Sequence, residues 1–385
     1  MKIAEIISNA SMKRASDIHI CCGIPVKLRV DGQVVNYSSD ILTHEDCEQL
    51  AAELSGTSGE ALGACGEADF AGNIGGQRIR VNIYRQQGHT SAAIRLLNDS
   101  IPVLDRLGLP EIVRSFAGYK RGIVLVTGET GSGKTTTLAA LLDAINHSKK
   151  KHIITLEDPI EYVYEPDQCI ISQREIGKDT LSYDSGMKAI LREDPDVILI
   201  GEMRSLDTIE TALTAAETGH LVFSTLHTNS ASDAIDRIVS VFPGERQQQI
   251  RLQLSMTLRA VLSQQLLPRS GRSGRALACE VMIVNAAIRN LIREGKTPQI
   301  NSSIQTSAQE GGQLMDNAVI ELYQSGEISM ETAMAACQDP DYMRARLGGS
   351  NDAHSFMGQS KGVGLQSGRS TGQPGGMQQG RGLFR

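Results

Sequence analysis

The sequence predicts an α/β protein: a largely parallel, phosphate-binding sheet preceded by a smaller α+β unit. Three observations predict it. Gly128-Glu129-Thr130-Gly131-Ser132-Gly133-Lys134-Thr135 satisfies G-x-x-x-x-G-K-[ST] at every fixed position, between a short apolar strand and a helix-forming stretch. Two later strand candidates, the apolar 197–200 and 221–226, are followed at their carboxyl ends by Glu202 and His227. The first hundred residues instead read as short alternating strands around a hairpin turn and two helices.

In chain order, Ile3, Ile6, Ile7 and Met12 give residues 3 to 14 one apolar helical face, and Ser16 to Ile20 then reads as extended. Val26-Lys27-Leu28-Arg29-Val30 alternates, Asp31-Gly32 is a turn signal and Gln33-Val34-Val35 returns, which predicts a hairpin. Thr43 with Asp46 three residues on predicts an N-capped helix to Leu54. Strands are expected at 68–74, 77–84 and 91–97, so residues 1–100 form one α+β domain. Within the middle strand Arg78 and Arg80 share a face. A solvated sheet face explains that pattern, and so does a pair of arginines that complete a phosphate site in an oligomeric ATPase.

Residues 101–111, with Pro102 and Pro110, are expected to be a linker, followed by a short helix at 111–117. Gly122 to Thr127 is a buried-type strand, and the glycines after it allow backbone N–H groups to turn inward at the start of the next helix. Lys134 is placed to reach the β and γ phosphates and Thr135 to ligate Mg²⁺, with Thr136 completing the ATP-binding set. His152 to Leu156 is a strand that ends at Glu157 and Asp158, acids suited to orienting Mg²⁺ or water, although Pro159 also fits a plain acidic turn. Val197 to Ile200 is a strand that delivers Glu202 beside the phosphate loop. A glutamate there suits water activation, with only indirect contact to the metal. The strand at 221–226 separates His220 from His227 by about 23 Å if fully extended. Only His227, at the carboxyl end, should reach phosphate; His220 is expected to be structural.

The chain has 385 residues and a net charge of −6, so no global charge favours a polyanion, and no segment interleaves basic with aromatic residues. Nucleic acid is not an expected partner. Seven cysteines, at 21, 22, 47, 65, 169, 279 and 337, contain no C-x-x-C pair and read as reduced thiols. The first residues have no basic, apolar-cored leader and no apolar run approaches 18 residues, which predicts a cytoplasmic protein that meets a membrane only through partners.

Taken together, the phosphate loop, Glu157-Asp158-Pro159 as an Asp box, Leu191 to Arg204 as a Walker B segment and Thr218 to Thr228 as a His box stand in the order of the type II/type IV secretion ATPase superfamily, which the sequence resembles from about residue 1 to 347. Ala287-Ile288-Arg289-Asn290-Leu291-Ile292-Arg293-Glu294 is similar to a segment of its type IV pilus retraction branch. Assembly motors of the family carry an added N-terminal region and commonly a tetracysteine zinc module. Neither is found here, which favours retraction.

The resemblance implies a RecA-like ATPase domain at 112–347, a PAS-like domain at 1–100, and a homohexameric ring that binds ATP and Mg²⁺ between them. It implies that Arg78 and Arg80, and less directly Arg95, complete the site, and that Glu202, Glu157 and His227 are catalytic. It further implies twitching motility as the output, an inner-membrane pilus platform protein as partner, and a paralogous accessory retraction subunit as either a further partner or the alternative identity of this chain. One departure is Ser205, where the family commonly has Asp after Gly201-Glu202-Met203-Arg204. Residues 348–385, with eleven glycines in 38 positions, are expected to be a disordered tail.

Overall fold

The structure, a computed structural model, describes residues 2–30, 32–56, 66–97 and 100–347. The expected tail at 348–385 and Asp31 of the hairpin turn lie outside the described residues.

The N-terminal part runs α1 (Ile3–Met12), β1 (Asp17–Ile20), β2 (Pro25–Val30), β3 (Gln33–Ile41), α2 (His44–Ser55), β4 (Glu67–Ile74), β5 (Gln77–Gln86) and β6 (His89–Leu96). Its strands form one antiparallel sheet in the order β3-β2-β1-β6-β5-β4. Alternation places Ile18, Ile20, Leu28, Ile79, Val81, Ile83 and Ile94 on the face covered by α1 and α2, where all are buried with Ile6, Ile7, Leu50 and Leu54. The opposite face carries Arg29, Asp17, Arg95 and Arg80 as successive cross-strand partners. Helix α2 starts with the expected box: Thr43 Oγ1 accepts from Asp46 N, and Asp46 Oδ2 accepts from Thr43 N at 2.9 Å. Met12 departs from the expected apolar face. It is 72% exposed because α1 ends there, and Ala10 occupies the core position instead.

Between the sheets, the short helix expected at 111–117 is present as a 3-10 helix, Glu111–Gly118, and a further 3-10 turn, Leu104–Arg106, lies within the linker segment. Leu104, Val113 and Phe116 are buried against α3, so this connection is packed rather than free.

The second part continues as β7 (Gly122–Thr127), α3 (Lys134–Ser148), β8 (His152–Glu157), β9 (Ile170–Glu175), α4 (Tyr183–Ile190), β10 (Val197–Ile200), α5 (Leu206–Glu217), β11 (Leu221–Leu226), α6 (Ala231–Ser240) and α7 (Gly244–Thr257). It then runs through β12 (Leu258–Pro268), β13 (Arg275–Ile283), α8 (Ala286–Glu294), α9 (Ile300–Thr306), α10 (Met315–Gln324), α11 (Met330–Ala336) and α12 (Pro340–Leu347). The sheet order is β13-β12-β7-β11-β10-β8-β9, parallel except for the antiparallel β12–β13 pair. All six residues of β7 are buried because helices cover both faces. Ile123 and Leu125 join the core with α5, α6, α7 and α8, whereas Val124 and Val126 join the core with α3.

β11 lies between β7 and β10, so one strand separates the strand before Glu202 from the phosphate-loop strand. The sequence reading assigns no strand to 258–283, where Ser263, Gln264 and Glu280 stand among apolar residues. In the fold these polar groups are buried, and the first two bond to residues of β7 and α3: Thr127 Oγ1 donates to Ser263 Oγ at 2.8 Å, and Gln264 Nε2 to Thr137 Oγ1 at 2.9 Å.

Candidate functional site

β7 stops at Thr127 and α3 starts at Lys134, so the six residues between them must reverse the chain at the carboxyl edge of the sheet. Gly128 has φ 137°, and a Cβ there would stand 2.3 Å from the Gln264 carbonyl oxygen and 2.6 Å from Ser132 Oγ, so only glycine fits. Gly133, at φ 94°, caps α3 in the left-handed region, which aims the first amides of that helix into the loop. Arg275, on β13, braces the loop by donating to the Gly131 carbonyl at 3.1 Å.

Lys134 is buried at 8% exposure, and its ammonium donates to the carbonyls of Gly128 at 2.7 Å and Glu129 at 2.8 Å. Burial lowers its pKa, opposed by the charges of Glu202, Glu161 and Glu129, so these carboxylates all act on the Lys134 head. Ser132 Oγ is buried without a hydrogen-bond partner. An unpartnered hydroxyl, a buried cation held only by backbone oxygens and a helix N-terminus together fit a bound phosphate chain. Thr135 is the second residue of α3 and half-buried. Among the described residues no cluster of three His, Cys, Asp or Glu side chains forms a metal site. A hydroxyl together with phosphate oxygens and water is a donor set that suits Mg²⁺, and Thr135 would supply the hydroxyl.

Three strand ends supply the remaining chemistry. Glu157 ends β8, is 6% exposed, and accepts from Thr155 Oγ1 at 2.7 Å and Gln173 Nε2 at 3.3 Å. Burial pushes its carboxyl above the usual range, against those hydrogen bonds. Glu202 follows β10. Burial pushes it up as well, but Arg204 at 2.7 Å and His227 at 3.3 Å outweigh burial and hold it below the usual range. The two carboxyls are therefore poised differently: Glu157 toward the protonated form and Glu202 toward the ionised form. His227 follows β11, and its Nε2 meets Glu202 Oε2. His220, at the other end of β11, faces the Ala215 carbonyl at 2.8 Å and lies away from this group, as expected.

The arginines of β5 reach the same edge from the other sheet. Arg78 donates to the carbonyls of Glu161 at 2.6 Å and Ile160 at 2.7 Å, in the loop that follows Glu157. Arg80 forms a two-point pair with Asp69, feels the charges of Asp158 and Glu161, and lines a cleft with Asp158, Pro159, Glu175 and Lys178. Arg95 is turned to Asp17 at 2.9 Å. The sequence reading missed Tyr162, whose hydroxyl lies 3.0 Å from Thr136 Oγ1, and also Gln173, Gln264 and Arg275. No local pattern marks these residues.

Ser205 is the N-cap of α5: its Oγ accepts from Thr208 N at 3.2 Å and donates to Asp184 Oδ1 at 3.1 Å. Serine and aspartate both serve as N-caps, so the departure at this position leaves the helix start intact.

A family model described as Type II/IV secretion system protein matches residues 1–335. Over 343 residues the chain is 43% identical to the type IV pilus retractation ATPase PilT of Pseudomonas aeruginosa, an alignment covering 89% of this chain and 99% of that protein. Over 370 residues it is 35% identical to the type IV pilus ATPase PilU of the same organism, covering 95% of this chain and 97% of that one. A crystal structure of the pilus retraction motor PilT with bound ADP matches with a TM-score of 0.80 at 45% identity, covering 90% of this chain and 99% of the other.

Proposed function

Since the chain belongs to the Type II/IV secretion system protein family, we propose that it is a Mg²⁺-dependent ATPase whose hydrolysis powers type IV pilus retraction. The observation that carries this reading is Glu202: an ionised carboxylate at the carboxyl end of β10, seated between Arg204 and His227, whose charge acts on Lys134 of the phosphate loop. That arrangement puts a proton acceptor opposite a phosphate-binding cation, the pairing that hydrolysis of a γ-phosphate needs.

In this mechanism Lys134 exchanges the Gly128 and Glu129 carbonyls for phosphate oxygens, and the α3 amides and Ser132 Oγ take up the rest of the phosphate charge. Thr135 would hold the Mg²⁺, which when bound neutralises charge on the β and γ oxygens. Glu202 accepts a proton from the attacking water, and His227 orients Glu202. Glu157, whose carboxyl burial pushes above the usual range, positions groups through Gln173 and the loop it shares with Arg78. Arg78 links residues 1–100, the proposed N-terminal domain, to the catalytic edge of residues 112–347 across the packed connection at 101–111, while Arg80, paired with Asp69, lines the cleft beside Asp158. A change at the phosphates therefore becomes a movement of one part against the other.

In a homohexamer such movements pass around a ring to the inner-membrane platform of the pilus, with a PilU-like paralogue as a further partner. Among the described residues no helix is long and apolar enough to cross a membrane, and membrane contact through partners is part of the proposal. Identity to PilT exceeds identity to PilU, and Lys134, Glu157, Glu202 and His227 are all in place, which supports a motor over an accessory subunit. The test is pilus retraction in a deletion strain complemented with wild type or Glu202→Gln, alongside ATPase assays of both purified proteins. Hydrolysis and retraction with wild type and neither with the variant support the motor; full retraction with the variant assigns the force to another ATPase.

A further inference from the structure

Glu280, in the middle of β13, is fully buried, and neither the phosphate loop nor the strand ends discussed above account for it. It sits in a buried row that runs across the sheet beneath the phosphate loop. Register places Thr127, the last residue of β7, opposite Ser263 of β12, and Ser263 opposite Glu280. Thr127, Ser263 and Glu280 have no exposed surface, and Thr127 donates to Ser263.

At the end of this row the Glu280 carboxylate turns to the His227 loop. Its Oε1 accepts from the Ala231 amide at 2.7 Å, at the first residue of α6, four residues after His227. A carboxylate at that position satisfies one of the free amides of the helix and meets its positive end. The other oxygen, Oε2, is buried without a hydrogen bond. On its far side are Met315 and Asp316 at the start of α10, and the strand residue after Glu280 is strapped to the same region by reciprocal Val281–Gln313 amide bonds of 2.8 and 3.0 Å.

A second tie closes the circuit independently of Glu280. The Asp316 carboxylate accepts from the amides of Gln338 at 2.7 Å and Asp339 at 2.9 Å, and Gln338 Nε2 donates to the Asn229 carbonyl at 3.1 Å. The loop from His227 to Ala231 is thus held from one side by β13 and from the other by the segment leading into α12.

We infer that Glu280 is a positioning residue for His227: by pinning the Ala231 amide it sets the loop that presents His227 to Glu202, and it joins that loop to the helices α10–α12. Glu280 acts through the backbone of 228–231 by way of the Ala231 amide. The inference rests on the hydrolytic reading of the site. A cost of burying a carboxyl in such a row is consistent with a device kept for geometry. Burial takes Glu280 up to about 7, the Ala231 and Met315 amides pull it down, and Asp233 of α6 and Asp316 of α10 push it up; β12 faces it with uncharged Ser263.

The experiment is steady-state ATP hydrolysis by the full chain as wild type, Glu280→Gln, Glu280→Ala, His227→Ala and Glu280→Ala/His227→Ala, from pH 6 to 8.5, with binding of a fluorescent ATP analogue and thermal melting for each. Glu280→Ala should lower kcat roughly tenfold with KM changed by less than about twofold, the signature of a displaced reacting group. Glu280→Gln keeps the acceptor for Ala231, so it should restore most of kcat and remove any rate change centred near neutral pH. With His227 already removed, Glu280→Ala should add little, because both act through one contact. Multiplicative effects of the two substitutions, or a lowered melting temperature with unchanged kcat, would overturn the inference. Absence of hydrolysis by wild type would instead overturn the reading on which it rests.

Discussion

His227 Nε2 stands 3.3 Å from Glu202 Oε2, across the join between the adjacent parallel strands β11 and β10. The contact exists because both side chains leave their strands at the carboxyl edge, and because Ser224 and Thr225 of β11 tie the start of the Glu202 loop to β11, donating to the carbonyls of Ile200 at 2.8 Å and Gly201 at 2.6 Å. It makes Glu202 the first residue to test.

Glu202→Gln removes the proton acceptor and keeps shape. Hydrolysis should fall by about 10²–10⁴-fold, while a fluorescent ATP analogue binds as it does to wild type. Weakened binding of similar size would place Glu202 in nucleotide recognition instead.

Glu202 is held below the usual carboxylate range because Arg204 and His227 outweigh its burial. The sign follows: the active, ionised form persists as pH falls until the lowered folded pKa is reached, so wild type should show no acid limb from this group near neutral pH. Arg204→Ala removes the 2.7 Å partner, and the acid limb of kcat/KM should move to higher pH. An unchanged profile would show that Arg204 does not set the state of Glu202.

Lys134→Ala removes a buried cation from the phosphate loop. Affinity for ATP should drop at least about tenfold, one factor of ten corresponding to roughly 1.4 kcal/mol, and hydrolysis should be lost; titration of the analogue measures the first directly.

Gly128→Ala drives a Cβ into the Gln264 carbonyl at a φ that only glycine tolerates. The strain should cost about 1–3 kcal/mol, seen as a lower melting temperature together with weaker nucleotide binding. Gly131→Ala meets nothing within 4 Å and should show only the smaller cost of its positive φ.

Arg78 holds two carbonyls of the 158–161 loop at once. Arg78→Ala should lower kcat roughly tenfold or more by releasing that loop, and Arg78→Lys should rescue poorly because a single ammonium cannot match the fork. Wild-type kcat in the alanine variant would reduce Arg78 to a surface contact.

The parts legible in the sequence were those whose cause is local. The phosphate loop is written in glycines that must take positive φ and in a lysine at the start of a helix. The strands β7, β8, β10 and β11 are mostly apolar because both faces of a parallel sheet are covered, and the acids and histidine at their carboxyl ends mark its working edge. The capping box of α2 was readable for the same reason, since Thr43 and Asp46 contact each other within one turn.

Tertiary structure alone decided which distant groups complete the edge. Sequence placed Arg78 and Arg80 on one strand face, but only packing put Arg78 on carbonyls 82 and 83 positions away while Arg80 turned to Asp69. It also inserted β11 between the phosphate-loop strand and the Glu202 strand, brought Arg275 to Gly131 across 144 positions, and buried Glu280 against the loop of His227. Contacts of this kind leave no periodicity to read. They are fixed by which faces must be removed from water and by the partners that buried polar groups then require.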